Sequence, residues 1–247
     1  MLKCYGIDLH IHTVLSPCGD WSMTPRAIIE RAKMRKINII AITDHHIVEN
    51  YPAVKYWGDK MGVFTLPGIE IQSREEAHIV GIFKDYLYAL EFQRELWNYL
   101  PNLKNNENLF GVQVVVNEKD EVERIEERLL SISVALSIEE ILKMIEKMEG
   151  ISILAHIDKP IYSVVSTLGF IPESLRYDII EFSKKVNPTK FFEKYPHLEK
   201  KPYIISSDAH YIDDIMEPKS YLILDDFTWD NFLRAFKEKN IKNKVEV

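Results

Sequence analysis

TPRAIIERAKMRK (Thr24–Lys36), INIIAIT (Ile37–Thr43) and DHH (Asp44–His46) follow one another without a break, and their reading decides the fold. Thr24 offers an N-cap hydroxyl, and Pro25 suits the first helical position, where its missing N–H costs nothing. The residues through Lys36 therefore read as a helix. Ile37–Thr43 is almost continuously apolar and rich in β-branched residues, the pattern of a strand buried on both faces. Such a strand needs a covering layer on each side. It ends in an acidic residue and two histidines.

The same order recurs outward from this unit. Tyr5–Leu9 reads as a strand ending in His10 and His12, Val63–Ile69 as a strand before Glu70, and His78–Phe83 as another. Pro52–Gly62 reads as the intervening helix. Downstream, Ile151–Ala155, Tyr177–Phe182, Pro202–Ser206 and Ser220–Leu224 read as strands, with helices over Ser137–Met148 and Thr228–Lys239. Ser137 and Glu140 have capping-box spacing, and Gly150 is placed to close that helix. Alternating strands and helices predict an α/β protein with a mainly parallel sheet.

The stretch from Tyr86 to Leu136 breaks the rhythm and reads as an insertion. It holds a helix over Tyr86–Leu100, an Asn-rich loop, and a hairpin of Phe110–Val116 with Glu121–Ile125. Its Phe92, Trp97, Tyr99 and Phe110 read as core rather than as a substrate platform.

Composition bounds the function. The hydrophobic share is 46% and the charged share 28%, ordinary values for a soluble protein. No apolar run approaches the ~20 residues of a membrane-spanning helix. Met1–Gly6 lacks the charged and apolar regions of a signal peptide, so a cytoplasmic location is the expectation. Two cysteines, Cys4 and Cys18, are too few for a disulfide framework or a cysteine-rich zinc module. The net charge of −7 argues against a broad nucleic-acid surface. It leaves room for a small phosphate-reading pocket, because bound cations reverse the local sign.

Seven of the eight histidines fall at strand ends: His10, His12, His45, His46, His78, His156 and His210. His197 stands apart and reads as a packed or solvated residue. Asp8, Asp44, Glu70, Asp158 and Asp208 accompany the seven. Residues two apart in an extended segment face the same side, so His10 with His12, and Asp208 with His210, can each grip one cation. Neutral imidazoles suit zinc, iron or manganese, and carboxylates bridge pairs of cations. Donors on several strand ends converge at the C-terminal mouth of a parallel barrel, where an active site belongs.

These residues resemble, in order, the motifs of the PHP family, named for polymerase and histidinol phosphatase domains. Asp8-Leu9-His10-Ile11-His12-Thr13 is similar to the first motif and Ile42-Thr43-Asp44-His45 to the second. Gly68-Ile69-Glu70 with His78 is similar to the third, Ala155-His156 to the fourth, and Ser207-Asp208-Ala209-His210 to the last. The resemblance covers nearly the whole chain and implies one catalytic domain. Its implied fold is a distorted seven-stranded β/α barrel of the TIM-like kind; the segment at about 86–136, read above as a central insertion, would then be placed to cover the mouth. It further implies two or three divalent ions, zinc, manganese or iron. His10, His12, Glu70 and Asp208 would hold one. Glu70 would bridge to a second held by His78 and His156. A third would take His45, His210 and a residue of the loop after His12. Members of the family place that last donor five or six residues beyond the second histidine, so the resemblance favours Cys18, with Asp20 as the alternative.

The chemistry implied is hydrolysis of a phosphate mono- or diester, in a nucleotide, an oligonucleotide or a small metabolite. Two close cations lower the pKa of a shared water, which then supplies the hydroxide that attacks phosphorus. Asp208 as proton acceptor and His46 as acid to the leaving group are the catalytic candidates. Arg74 and Lys159 are candidate phosphate ligands, and Asp8 and Asp44 suit the fixing of imidazole rings. Two other readings stay open: a noncatalytic regulatory metal-binding module, and a metal-dependent hydrolase of C–N bonds.

Overall fold

The computed structural model describes residues 2–244. In chain order it forms β1 (Lys3–Ile11), α1 (Pro25–Met34), β2 (Ile39–Ile42), α2 (Tyr51–Met61), β3 (Phe64–Gln72) and β4 (His78–Ile82). The insertion follows with α3 (Tyr86–Leu96), α4 (Glu107–Phe110), β5 (Val114–Val116) and β6 (Val122–Ile125). Then come α5 (Ile138–Lys147), β7 (Ile151–Leu154), α6 (Val164–Leu168), β8 (Ile179–Ser183) and α7 (Pro188–Lys194). The last elements are β9 (Tyr203–Ser206), β10 (Ser220–Leu224), α8 (Trp229–Lys237) and β11 (Ile241–Asn243).

Local chemistry explains the boundaries. The Thr24 hydroxyl accepts from the Ala27 N–H with Pro25 behind it, and α1 buries Ile28, Ile29 and Ala32. Ser137 and Glu140 form the reciprocal capping box at α5. At its other end Glu149 takes the left-handed position at φ 54°, and the Gly150 N–H closes onto the Ile145 carbonyl at 3.0 Å. All of β2 is buried.

One sheet of nine strands runs β11-β10-β1-β2-β3-β4-β7-β8-β9, and β5-β6 form a separate hairpin. Seven strands, from β1 round to β9, bend into a ring. A parallel bridge between Ile11 and Ala209 closes it at the mouth, with the His12 N–H donating to the Ala209 carbonyl at 3.0 Å. Lower down, antiparallel β10 occupies the edge of β1 and splits the seam. Each ring strand sends a side chain into one apolar cluster: Leu9, Ala41, Leu66, Val80, Ile153, Ile179 and Ile204. Their burial, about 1.5–3 kcal/mol for a large aliphatic side chain, fills the barrel and leaves function to its rim.

The expected mainly parallel sheet needs correction, because β10 and β11 pair antiparallel at its edge and β4 does so within the ring. β4 runs antiparallel to both β3 and β7, because only a short turn over Ser73–Ala77 joins it to β3. A reversed strand begins where its neighbours end. His78, first residue of β4, therefore lies at the same mouth as the donors that close the other strands.

The insertion also departs from expectation. Residues 107–110 form a helical turn, so the strand shrinks to Val114–Val116. Phe92 is fully buried and Trp97 packs partly buried against the core, but Tyr99 and Phe110 are 42% and 41% exposed. Among the described residues no helix is long and apolar enough to cross a membrane.

Candidate metal centre

Glu70, near the end of β3 and buried, is the hub. Its Oε1 lies 2.8 Å from His78 Nδ1, 3.2 Å from His10 Nε2 and 3.3 Å from His156 Nε2. Its Oε2 lies 3.1 Å from His45 Nδ1 and 3.3 Å from His12 Nε2. Asp208 Oδ1 sits 3.4 Å from His10 Nε2 and 3.3 Å from His12 Nε2. Backbone ties set this convergence. The His46 N–H donates to the Glu70 carbonyl and the Glu70 N–H to the Asp44 carbonyl, at 2.9 and 3.2 Å, locking the loop after β2 onto β3.

Among the described residues, three sets of side chains bring their donor atoms within 4.8 Å of one another: His10, His12 and Asp208; Glu70, His78 and His156; and His12, Cys18, His45 and His210. Buried His10 Nε2, His12 Nε2, both ring nitrogens of His78 and His156 Nδ1 have no aligned hydrogen-bond partner, although several lie close to Glu70. Unsatisfied buried polar atoms cost about 1–3 kcal/mol each, and the Glu70 and Asp208 carboxylates do not align with these five nitrogens on four rings. Cations at the common foci would satisfy His10 Nε2, His12 Nε2 and His78 Nδ1, the nitrogens that face Glu70. The donor set fits divalent ions bound by nitrogen, oxygen and one sulfur.

Cys18 and Asp20 part company here. The loop after His12 is fastened by the Gly19 N–H to the Ser16 carbonyl at 2.8 Å and by the Asp20 N–H to the His210 carbonyl at 2.8 Å. This turns the Cys18 sulfur toward His12, His45 and His210. Asp20 instead accepts from the Ser22 backbone and hydroxyl and joins no donor set.

Electrostatics match a cation site. Burial alone would raise Glu70, but the His78, His10 and His45 imidazoles hold it well below the usual carboxylate range. Asp208 is held low in the same way, against burial, by His10 and His12. Burial, with the His12 and His78 charges, drives His45 well below its ordinary value despite Glu70. It takes His210 down to about 4. Against burial, Asp208 and Glu70 lift His12 to about 9, while Glu181, Glu70 and Asp208 lift His10 well above its ordinary value. Burial and the Glu70 charge push the Cys18 thiol up to about 12. A thiolate there calls for a cation beside it.

The supporting residues differ from expectation. Asp44 accepts from the Thr13 N–H, the Thr13 hydroxyl and the Ser16 hydroxyl, and touches no imidazole. Its influence on a ring passes through Ser16 Oγ, 2.9 Å from His12 Nδ1. Asp8 accepts from the Ser207 and His10 backbone N–H groups. Asp158 accepts from Ser183. Glu181, within β8, is the residue sequence reasoning missed: its Oε1 lies 2.9 Å from His10 Nδ1 and accepts from the His156 N–H at 3.2 Å. A lone acid inside the apolar run Ile179-Ile180-Glu181-Phe182 was its signal.

Three further candidates separate. His46 is buried with Nε2 2.9 Å from the Ile132 carbonyl. Burial takes its pKa down to about 4. It joins no donor set and turns its Nε2 toward the insertion, not toward Glu70. Lys159 Nζ pairs with Asp208 Oδ2, which keeps it above the ordinary lysine value against burial. The Arg74 side chain is 62% exposed, with Glu75 at 4.0 Å.

Residues 8–193 match the PHP domain family, and the chain belongs to it. It is 35% identical over 80 residues to the 5'-3' exoribonuclease Rnm of Salmonella typhimurium, covering 30% of this chain and 26% of that one. It is 33% identical over 80 residues to the 3',5'-nucleoside bisphosphate phosphatase of Chromobacterium violaceum, covering 31% and 27%. Among solved structures, the lesion-specific endonuclease PfuEndoQ of Pyrococcus furiosus superposes with a TM-score of 0.63 at 19% identity, over 96% of this chain and 56% of that one. The fold is thus the PHP barrel. The chain spans less than half the length of the curated relatives it matches.

Proposed function

We propose that this chain is a divalent-metal-dependent phosphoesterase, hydrolysing a phosphate mono- or diester at the barrel mouth. The observation that carries it is the convergence of five imidazoles on Glu70, with the Lys159 ammonium placed on Asp208 at its edge. His10, His12 and Asp208, then Glu70, His78 and His156, and finally His45, His210 and Cys18 would hold two or three ions. Zinc, manganese and iron all suit imidazole, and the Cys18 sulfur favours zinc or iron for the last set. Bound, such ions supply Lewis acidity that activates water and neutralises phosphoryl oxygens.

The chain's own groups do the rest. Lys159 stays protonated and is positioned to meet a phosphoryl oxygen. Asp208 remains the candidate acceptor for the proton that the attacking water loses. The exposed Arg74 is a second candidate phosphate ligand from the β3–β4 turn. The insertion lies against the metal-facing loop: the Val114 N–H donates to the Val14 carbonyl at 3.2 Å. A Cβ on Gly111 would come 2.6 Å from the Pro17 carbonyl oxygen. That contact supports a role for residues 86–136 in bounding the mouth and limiting substrate size.

The relatives named for nucleotide and nucleic-acid substrates support a nucleotide-type ester, and the net charge of −7 supports a short substrate over a long duplex. The test is elemental analysis of the purified protein, followed by phosphoester and amide panels with Mn²⁺, Zn²⁺ or Fe²⁺. Turnover of phosphoesters with two or three bound ions is expected. Activity confined to amides would overturn the choice of reaction, and inactivity of the fully loaded protein on both panels would favour a regulatory module.

A further inference from the structure

Loop residues 156–162 present three side chains to the centre, three positions apart. His156 faces Glu70, Lys159 pairs with Asp208, and Tyr162 lays its ring on His78 with centroids 4.8 Å apart and planes 12° apart. The loop is pinned at each of these points. The Lys159 N–H donates to the His156 carbonyl, the Ser163 hydroxyl to the Lys159 carbonyl, and the His78 N–H to the Tyr162 carbonyl, each at 2.9 Å.

Tyr162 holds φ at 58°, in company with His156 at 29° and Asp208 at 50°. The left-handed region is unfavourable for a bulky side chain, and such strain collects where a site needs a fixed geometry. Core packing does not account for it here, since Tyr162 remains 42% exposed. One loop thus offers an imidazole donor, a cation and an open aromatic face in succession. A nucleotide presents the matching groups, a phosphate followed by a planar base.

We propose that Tyr162 is a stacking platform for the nucleobase of a nucleotide ester whose phosphate lies beside Lys159. This rests on the phosphoesterase reading and narrows its substrate class. Base–aromatic stacking is sequence-tolerant and commonly changes affinity about tenfold or more.

The test compares equilibrium binding of two non-hydrolysable phosphonates, the analogues of AMP and of ribose 5-phosphate, to the metal-loaded protein. Metal content is measured on every variant. The wild type should favour the AMP analogue about tenfold or more. Tyr162→Phe should keep that preference, and Tyr162→Ala should bring the ratio near one at undiminished metal content. If Tyr162→Ala loses metal, Tyr162→Leu, which still covers His78 but has no π face, takes its place. Equal affinities in the wild type, or a preference that survives loss of the ring, overturns the platform. Should the wild type hydrolyse phosphoesters yet ignore the base, only the platform falls. Failure to bind either phosphonate or hydrolyse any phosphoester removes the underlying reading as well.

Discussion

The Nδ1–H of His10 donates to Glu181 Oε1 across 2.9 Å of buried space between β1 and β8. This fixes the ring so that Nε2 faces Glu70 and Asp208 at 3.2 and 3.4 Å. A carboxylate behind a ligating imidazole sets its tautomer and raises its basicity, and losing such a partner typically costs 10- to 100-fold in metal affinity. The same oxygen accepts the His156 N–H, so one residue braces donors from two different sets.

Glu181→Gln should accordingly weaken metal binding by about one to two orders of magnitude, measured by competition with a chromogenic chelator. Activity should return largely at high metal concentration, because the donors themselves survive. Unchanged affinity would reduce Glu181 to a packing role.

The loop donor can be decided by stoichiometry. Cys18→Ala should lower the metal content by about one equivalent, and Cys18→Asp should restore part of it, since carboxylate oxygen also serves these cations. Asp20→Ala should leave the content unaltered, because Asp20 is engaged with Ser22. The reverse pattern would transfer the ligand role to Asp20.

Much of this site was legible because its donors sit where strands end, and a parallel barrel gathers its strand ends at one mouth. The pairs His10-His12 and Asp208-His210 stand out by spacing alone, whereas Cys18 stood out only through the family resemblance. Glu181 was hidden for the opposite reason. It lies inside a strand and acts through another residue, so no spacing rule points to it. The direction of β4 was hidden too. His78 opens a strand instead of closing one, and only the reversal of that strand explains why it joins the others. In the insertion, Phe110 looked like the start of a strand because it adjoins the apolar run ending at Val116. The Asn106 side chain caps a helical turn there, and the strand begins only at Val114.

His46 tests how far adjacency misleads. It neighbours His45 in sequence, yet it turns into the insertion. Its Nε2 is 2.9 Å from the Ile132 carbonyl, and its own carbonyl accepts the Trp97 indole N–H at 2.7 Å. Its φ of 59° is one that asparagine tolerates. His46→Asn should therefore keep kcat within about threefold. It should lose about 1–2 kcal/mol of stability in denaturant titration as the buried hydrogen bond weakens. A hundredfold fall in kcat with loss of one limb of the pH–rate profile would establish it as the acid.

The two phosphate candidates should separate in the same assay. Lys159 is partly buried and held against Asp208, so its ammonium is already placed at the centre and only has to turn toward a phosphoryl oxygen. Arg74 is mostly exposed, 4.0 Å from Glu75, and must surrender side-chain freedom to reach a ligand. Lys159→Ala should lower kcat/KM for phosphoesters about 10- to 100-fold, in line with the loss of one charged contact to a transferring phosphoryl group. Lys159→Arg should recover part of that, since charge is retained while the point geometry is not. Arg74→Ala should change KM by no more than about threefold. If Arg74→Ala were the costlier change, the β3–β4 turn would have to close over the substrate, and the phosphate would enter from the side of His78 instead of from the loop after β7.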